Sequence, residues 1–191
     1  MALDRSSDMP APDLATRWFA LDVETANPKR WSVCQIGLVE MEGLHEVSAR
    51  SWRVDPRGEM TLTWLHGLTA ADVAGQPTFA DLHASLWAQL GGQIVFCHSA
   101  FDKQAFEACT RRDSLAAPCW TWADSARAAA FIPFPDPVDG GGLKDICAAL
   151  DIPLTHHDAL SDARAAAAIV ARALAAAECT PAELARTTRH G

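Results

Sequence analysis

Apolar runs in this sequence are short. None approaches the roughly 18 residues that a membrane-spanning helix needs, so no such span is expected. Paired cysteines are missing as well. The six lie at positions 34, 97, 109, 119, 147 and 179, with no CxxC spacing, which argues against a zinc ribbon. The first 13 residues are polar, carry Pro10 and Pro12, and lack the basic and apolar regions of a signal peptide. Free thiols in a reducing cytoplasm are therefore expected. Positive charge is scarce too: 16 Lys and Arg against 24 Asp and Glu leave a net charge of −8. That is the reverse of the basic footprint of a protein that coats duplex nucleic acid. It suits an enzyme whose carboxylates hold metal ions.

What is present reads as one globular domain. The 191 residues are 49% hydrophobic and 21% charged, enough to bury a sizeable core and unlike collagen, a disulfide scaffold or a disordered chain. Residues 1–15 read as a flexible arm, 16–178 as the domain, and 179–191 as a short helix and tail. Trp18 to Val23 is a buried strand. Val33 to Met41 is a second, and Gly43 to Val54 a third, after a tight turn at Glu42-Gly43. Short links between the three favour antiparallel pairing. Thr78 then caps a helix with Phe79, Leu82, Leu86 and Leu90 on one face. Strand 93–98, helix 101–112, strand 120–122 and helix 124–131 follow. The Pro- and Gly-rich stretch 132–142 is a loop. Helices come next at 143–150, at 159–178, and from Thr180-Pro181-Ala182-Glu183, a capping box with proline at the first helical position. This order predicts an α/β fold with a mixed sheet and helices packed on it.

The carboxylates carry the chemistry. Asp22 and Glu24 end the first strand two residues apart, so both project from one face. Burying two neighbouring anions is costly unless a cation compensates. The plain alternative is that the strand ends here and both acids meet water. Asp102 follows the fourth strand, where an acid also suits a helix N-terminus. His157 and Asp162 open the long helix, with Asp158 as a candidate N-cap. Taken singly, each has such a structural explanation. Together they form an oxygen-rich, cysteine-free set that suits hard cations such as Mg²⁺ or Mn²⁺. Four carboxylates can hold two such ions about 4 Å apart, as in phosphodiester cleavage.

Five segments occur in order: Phe19-Ala20-Leu21-Asp22-Val23-Glu24-Thr25-Ala26-Asn27, Cys34-Gln35-Ile36-Gly37-Leu38-Val39, Leu65-His66-Gly67-Leu68-Thr69, His98-Ser99-Ala100-Phe101-Asp102 and His157-Asp158-Ala159-Leu160-Ser161-Asp162-Ala163. In these the sequence resembles the DEDDh 3′–5′ exonucleases, the superfamily of the epsilon proofreading subunit of bacterial DNA polymerase III. Around Asp22 and His157 it is similar to short stand-alone bacterial relatives. The resemblance spans residues 16–178. It implies an RNase H-like fold: three antiparallel strands, two parallel additions, and helices on both faces of a five-stranded sheet. It implies Asp22, Glu24, Asp102 and Asp162 as ligands of two divalent cations, Mg²⁺ or Mn²⁺, and His157 as the general base for the attacking water. Thr25, Leu65, His66 and Phe101 would contact the terminal nucleotide. Ser99 stands where the family often has asparagine, and the motif is one residue shorter before Phe101. The implied activity is release of nucleoside 5′-monophosphates from single-stranded or frayed 3′ ends of DNA. RNA or oligoribonucleotides are the alternative substrate, and a non-catalytic interaction module on the same fold is the alternative class. A homodimer and association with a polymerase stay open.

Other features have simpler readings. Gly140-Gly141-Gly142-Leu143-Lys144 lacks the spacing of a P-loop and reads as a loop entering a helix. Trp18, Trp52, Trp87 and Trp120 read as core or half-buried. Trp64, beside Leu65 and His66, is a candidate base-stacking residue. Arg127 reads as part of a solvated helix face. His156 lies one position off the motif, and because a helix starts just after it, its side chain is expected to point away from that of His157.

Overall fold

A computed structural model describes residues 16–134, 138 and 140–190; the arm expected at 1–15 lies outside these. Five strands form one sheet in the order β3-β2-β1-β4-β5. β1 (Arg17–Thr25) pairs antiparallel with β2 (Val33–Glu42), and β2 with β3 (His45–Arg53). β4 (Ile94–Cys97) runs parallel to β1, and β5 (Thr121–Asp124) parallel to β4. The α/β fold with a mixed five-stranded sheet is as expected. β1 sits at the centre with helices over both its faces, and its near-continuous apolar run follows from that. β3 is an edge strand and correspondingly mostly exposed.

The two faces of β1 belong to two cores. Phe19, Leu21 and Val23 point into the first, with Phe79, Leu86 and Leu90 of α3 (Phe79–Leu90) and Phe106 of α4 (Phe101–Arg112). Trp18 and Ala20 point into the second, with Ala163, Ala166, Ala167, Val170 and Leu174 of α7 (Ala159–Ala177) and Leu184 of α8 (Pro181–Thr188). By the same alternation Asp22 and Glu24 continue the second face, the one α7 covers.

Gly37 sets how closely α7 approaches. It lies directly opposite Asp22 in the β1–β2 ladder, so a side chain there would stand on the same face. A Cβ at Gly37 would come within 2.1 Å of the Ala159 carbonyl oxygen. The bare backbone lets the first turn of α7 rest on the sheet. Gln35 ties that turn down. Its Oε1 accepts from the Ala159 N–H at 3.4 Å, and its Nε2 donates to Asp158 Oδ2 at 3.3 Å. Asp158 is the N-cap, accepting from the Ser161 N–H at 2.9 Å.

Several boundaries differ from expectation. β5 starts at Thr121 and runs to Asp124 rather than covering 120–122. Trp120 is instead part of an aromatic cluster, edge-on to Trp87 at 4.8 Å. Asp124 both ends β5 and caps α5 (Ser125–Ala128) by accepting from the Ala126 and Arg127 N–H groups. A 3₁₀ turn, Ala129–Phe131, completes that stretch. Two four-residue helices, α1 (Thr63–His66) and α2 (Ala70–Val73), fill the segment that shows no periodicity. α6 (Leu143–Ala149) starts from Gly142 as a loop entering a helix, and α8 has the expected capping box. All six cysteines are free thiols.

Candidate active site

The carboxylates assemble at the C-terminal end of β1. Oxygens of Asp22, Glu24 and Asp162 all lie within 4.8 Å of one another. Asp102 reaches the same place from the first turn of α4, where its Oδ1 accepts from the Val23 N–H at 2.9 Å. Asp102 is therefore both a helix-start acid and a member of the cluster. Glu24, Asp102 and Asp162 are buried, and Asp22 keeps some surface toward the cavity.

So many anions out of water resist ionisation. Burial, then repulsion from Asp102, Asp162 and Glu24, lifts the Asp22 carboxyl well above its usual value. Burial and repulsion from Asp162 and Asp102 push Glu24 up to about 8. Burial raises Asp102 to about 7, against the pull of its backbone hydrogen bonds. Asp162 is raised for the same first cause, opposed by its bonds to His157 and His156. Asp162 Oδ2 accepts from the His157 N–H at 3.1 Å and lies 3.0 Å from His156 Nδ1. Its buried Oδ1 has no hydrogen-bond partner. An orphaned buried carboxylate oxygen is costly, and a cation would satisfy it. The donors are all oxygen apart from two imidazoles, so the set fits a hard divalent cation.

The histidine pair departs from expectation. The rings of His156 and His157 stack at 4.0 Å with 20° between their planes, instead of pointing apart. His157 is the cause. Its φ of 66° lies in the left-handed region, which turns its side chain back over that of its neighbour. His157 Nδ1 lies 3.6 Å from Glu24 Oε1. Burial and the adjacent His156 lower the pKa of His157, keeping it neutral near pH 7.

These groups line a cavity of about 300 Å³, which Thr25, Leu65 and Phe101 also border. His66 differs from its three companions. Its Nδ1 accepts from the Leu68 N–H at 3.1 Å and its Nε2 lies 3.9 Å from Cys34 Sγ, so it braces the turn after α1. Trp64 projects outward, 78% exposed, while Leu62 and Leu65 beside it face the cavity. His98 also borders the cavity. Its Nδ1 is 2.9 Å from Ser125 Oγ and its Nε2 3.1 Å from the Gly141 carbonyl, so it joins α5 to the glycine loop. Ser99, at φ 85°, makes the sharp turn into α4 and accepts from the Phe101 N–H at 3.3 Å. That turn brings Asp102 under β1 despite the shortened motif. Sequence reasoning passed over Pro28, Leu62 and Leu143 as lining residues. They are apolar residues in loops or at a helix start, and only the fold brings them together.

This architecture is an RNase H-like fold. The chain is similar to exonuclease X in complex with 5′ overhanging duplex DNA, at 18% identity and a TM-score of 0.66, over 89% of this chain and 98% of that one. It is similar to the zinc-bound form of E. coli exonuclease I with single-stranded DNA, at 14% identity and 0.68, over 84% of this chain and 40% of that one. A moderately thermophilic exonuclease I from Methylocaldum szegediense gives 21% and 0.60, over 83% and 40%. The chain thus spans nearly all of the exonuclease X chain and about two-fifths of the exonuclease I chains. At these identities the likeness establishes the fold. No protein-family model and no curated protein sequence matches the chain.

Proposed function

We propose that this chain is a metal-dependent 3′–5′ exonuclease of the DEDDh kind, acting on single-stranded or frayed 3′ ends of DNA. The observation that carries the reading is the convergence of Asp22, Glu24 and Asp162, with an unsatisfied Asp162 Oδ1, beside His157 in one cavity. Asp22, Glu24, Asp102 and Asp162 would hold two divalent ions, Mg²⁺ or Mn²⁺. Such ions polarise the scissile phosphate and stabilise the leaving 3′ oxygen when bound.

The protein supplies the rest. His157 is neutral near pH 7, and with Nδ1 turned toward Glu24 its other ring nitrogen is available for the proton of the attacking water. Thr25, Leu65 and Phe101 border a space at the small end of ligand cavities, which suits one terminal nucleotide. A pocket of that size favours a free or frayed end over paired duplex. The fold neighbours are described with single-stranded or overhanging DNA, which supports the same substrate class.

A 5′-labelled single strand tests this. It should shorten as a ladder with Mg²⁺ or Mn²⁺, stop in EDTA, and recover when metal is returned. Closed circular single strands should resist. Linearised circles, or unchanged cleavage in excess chelator, would overturn the reading. The same strand made as RNA separates the two substrates.

A further inference from the structure

We propose that Lys29 and Arg30, in the loop between β1 and β2, form a phosphate shelf for the nucleotides that precede the terminal one in a single strand. The inference rests on the exonuclease reading and gives the strand a path out of the pocket.

Two cavities meet at Pro28. One is the candidate active site of about 300 Å³, and the other, of about 630 Å³, is bordered by Lys29, Trp31 and Arg57. Arg30 follows Pro28 and Lys29 in the chain, its guanidinium carbon 4.4 Å from the centre of the ring of Phe101, which itself borders the active-site cavity. A guanidinium held over an aromatic face by its carbon can still offer N–H groups to phosphate oxygens. Lys29 Nζ sits 5.2 Å from the centre of the Trp31 ring, and Arg112 lies 4.8 Å from the same ring. Trp31 packs against the core and is the footing of the shelf.

Charge supports the assignment. Arg57 and Arg112 are both committed to Asp113. Lys29 and Arg30 are exposed and make no ion pair among the described residues. Two cations beside an anionic pocket, in a chain of net charge −8, offer positive charge where a polyanion must enter. Glu59 is the acid that borders the second cavity, and its repulsion would turn phosphates toward Lys29.

The loop is also built to keep its shape. Ser32 Oγ lies within hydrogen-bond reach of the Asn27 and Lys29 carbonyls, at 3.0 and 2.7 Å, and its single hydrogen bridges them. The Lys29 N–H donates to Asn27 Oδ1 at 3.1 Å, and Asn27 Nδ2 to the Glu59 carbonyl at 2.9 Å. Asn27 and Ser32 are buried, so the exposed cations stand on a fixed base. Preorganisation of this kind lowers the entropic cost of binding.

The test measures binding, so it does not depend on turnover. A 5′-fluorescein octathymidylate with phosphorothioate linkages is titrated in Mg²⁺ and read by anisotropy across a series of KCl concentrations. The wild type should bind the octamer more tightly than the dinucleotide. The exposed double variant Lys29→Ala/Arg30→Ala should lose about tenfold on the octamer at moderate salt, with a salt slope shallower by about 0.7 for each phosphate contact removed. Wild-type hydrolysis of the p-nitrophenyl ester of thymidine 5′-monophosphate reports on the catalytic centre alone, so a failure there is distinguishable from a failure of the shelf. The proposal is overturned if the double variant binds the octamer like wild type with the same salt slope, or if the wild type binds dinucleotide and octamer equally.

Discussion

The acid cluster should make the metal-free protein lose stability as pH rises through neutrality. Glu24 titrates at about 8 against an ordinary 4.5, and Asp102 at about 7 against 3.8. Both values are higher in the folded chain, so the folded state binds more protons between them. The associated stability is full below the unfolded values and is lost as pH climbs through 7 and 8. Between pH 6.5 and 9 the linkage comes to about 2 kcal/mol from Glu24 and about 1 kcal/mol from Asp102. In a chain of this size, about 3 kcal/mol lowers Tm by about 6–12 °C. The window begins where His66, His98 and His157, all lowered by burial, contribute little. The assay is thermal unfolding in EDTA across that range, repeated with saturating Mg²⁺ or Mn²⁺. Metal should raise Tm, and more at pH 9 than at 6.5, because protons and cations compete for the same oxygens. A flat Tm in EDTA, or equal metal stabilisation at both ends, would refute the reasoning.

Other perturbations probe the parts. Gly37→Ala should cost about 3 kcal/mol or more, because the new Cβ meets backbone at Ala159 and α7 must lift; denaturant unfolding reads this, and turnover should fall with it. Asp162→Asn should weaken metal binding, measured by calorimetry, and abolish cleavage, while raising metal-free Tm at pH 9 by relieving Glu24 and Asp22. His157→Asn, which tolerates the left-handed backbone, should keep Tm and metal affinity but lose about 10²–10⁴ in turnover. His156→Ala should stay within a few-fold of wild type; if it were the dead variant, the base would be reassigned.

Much of this was legible where local physics is strong. Alternation along β1 alone puts Asp22 and Glu24 on one face, and the helical period alone places Leu82 and Leu86 in the core. The close approach of α7 was encoded in a single missing side chain, Gly37, whose meaning depends on its partner across the ladder being Asp22. Nothing in the local sequence around Gly37 says that. α1 and α2 escaped because four residues carry no period. β5 was misplaced because Trp120 is as apolar as a strand residue, and only the aromatic cluster shows that it belongs outside the ladder.

The histidine pair shows the limit most sharply. The motif of the resembling family places the base five residues before Asp162, which selects His157 over His156, and the start of a helix predicts that the two side chains diverge. The backbone at His157 turns left-handed instead, and the two rings stack. Both now touch the acid cluster, so counting alone does not separate their roles. Their contacts do. His156 Nδ1 is taken up by Asp162 Oδ2, an oxygen already held by the His157 backbone N–H. His157 gives its backbone N–H to the same oxygen and turns its ring toward Glu24. One residue thereby fixes a carboxylate with its main chain and leaves its imidazole for the proton transfer proposed above. The left-handed φ is what makes both possible at once, and it ties the choice of base to a backbone conformation rather than to a position in a motif.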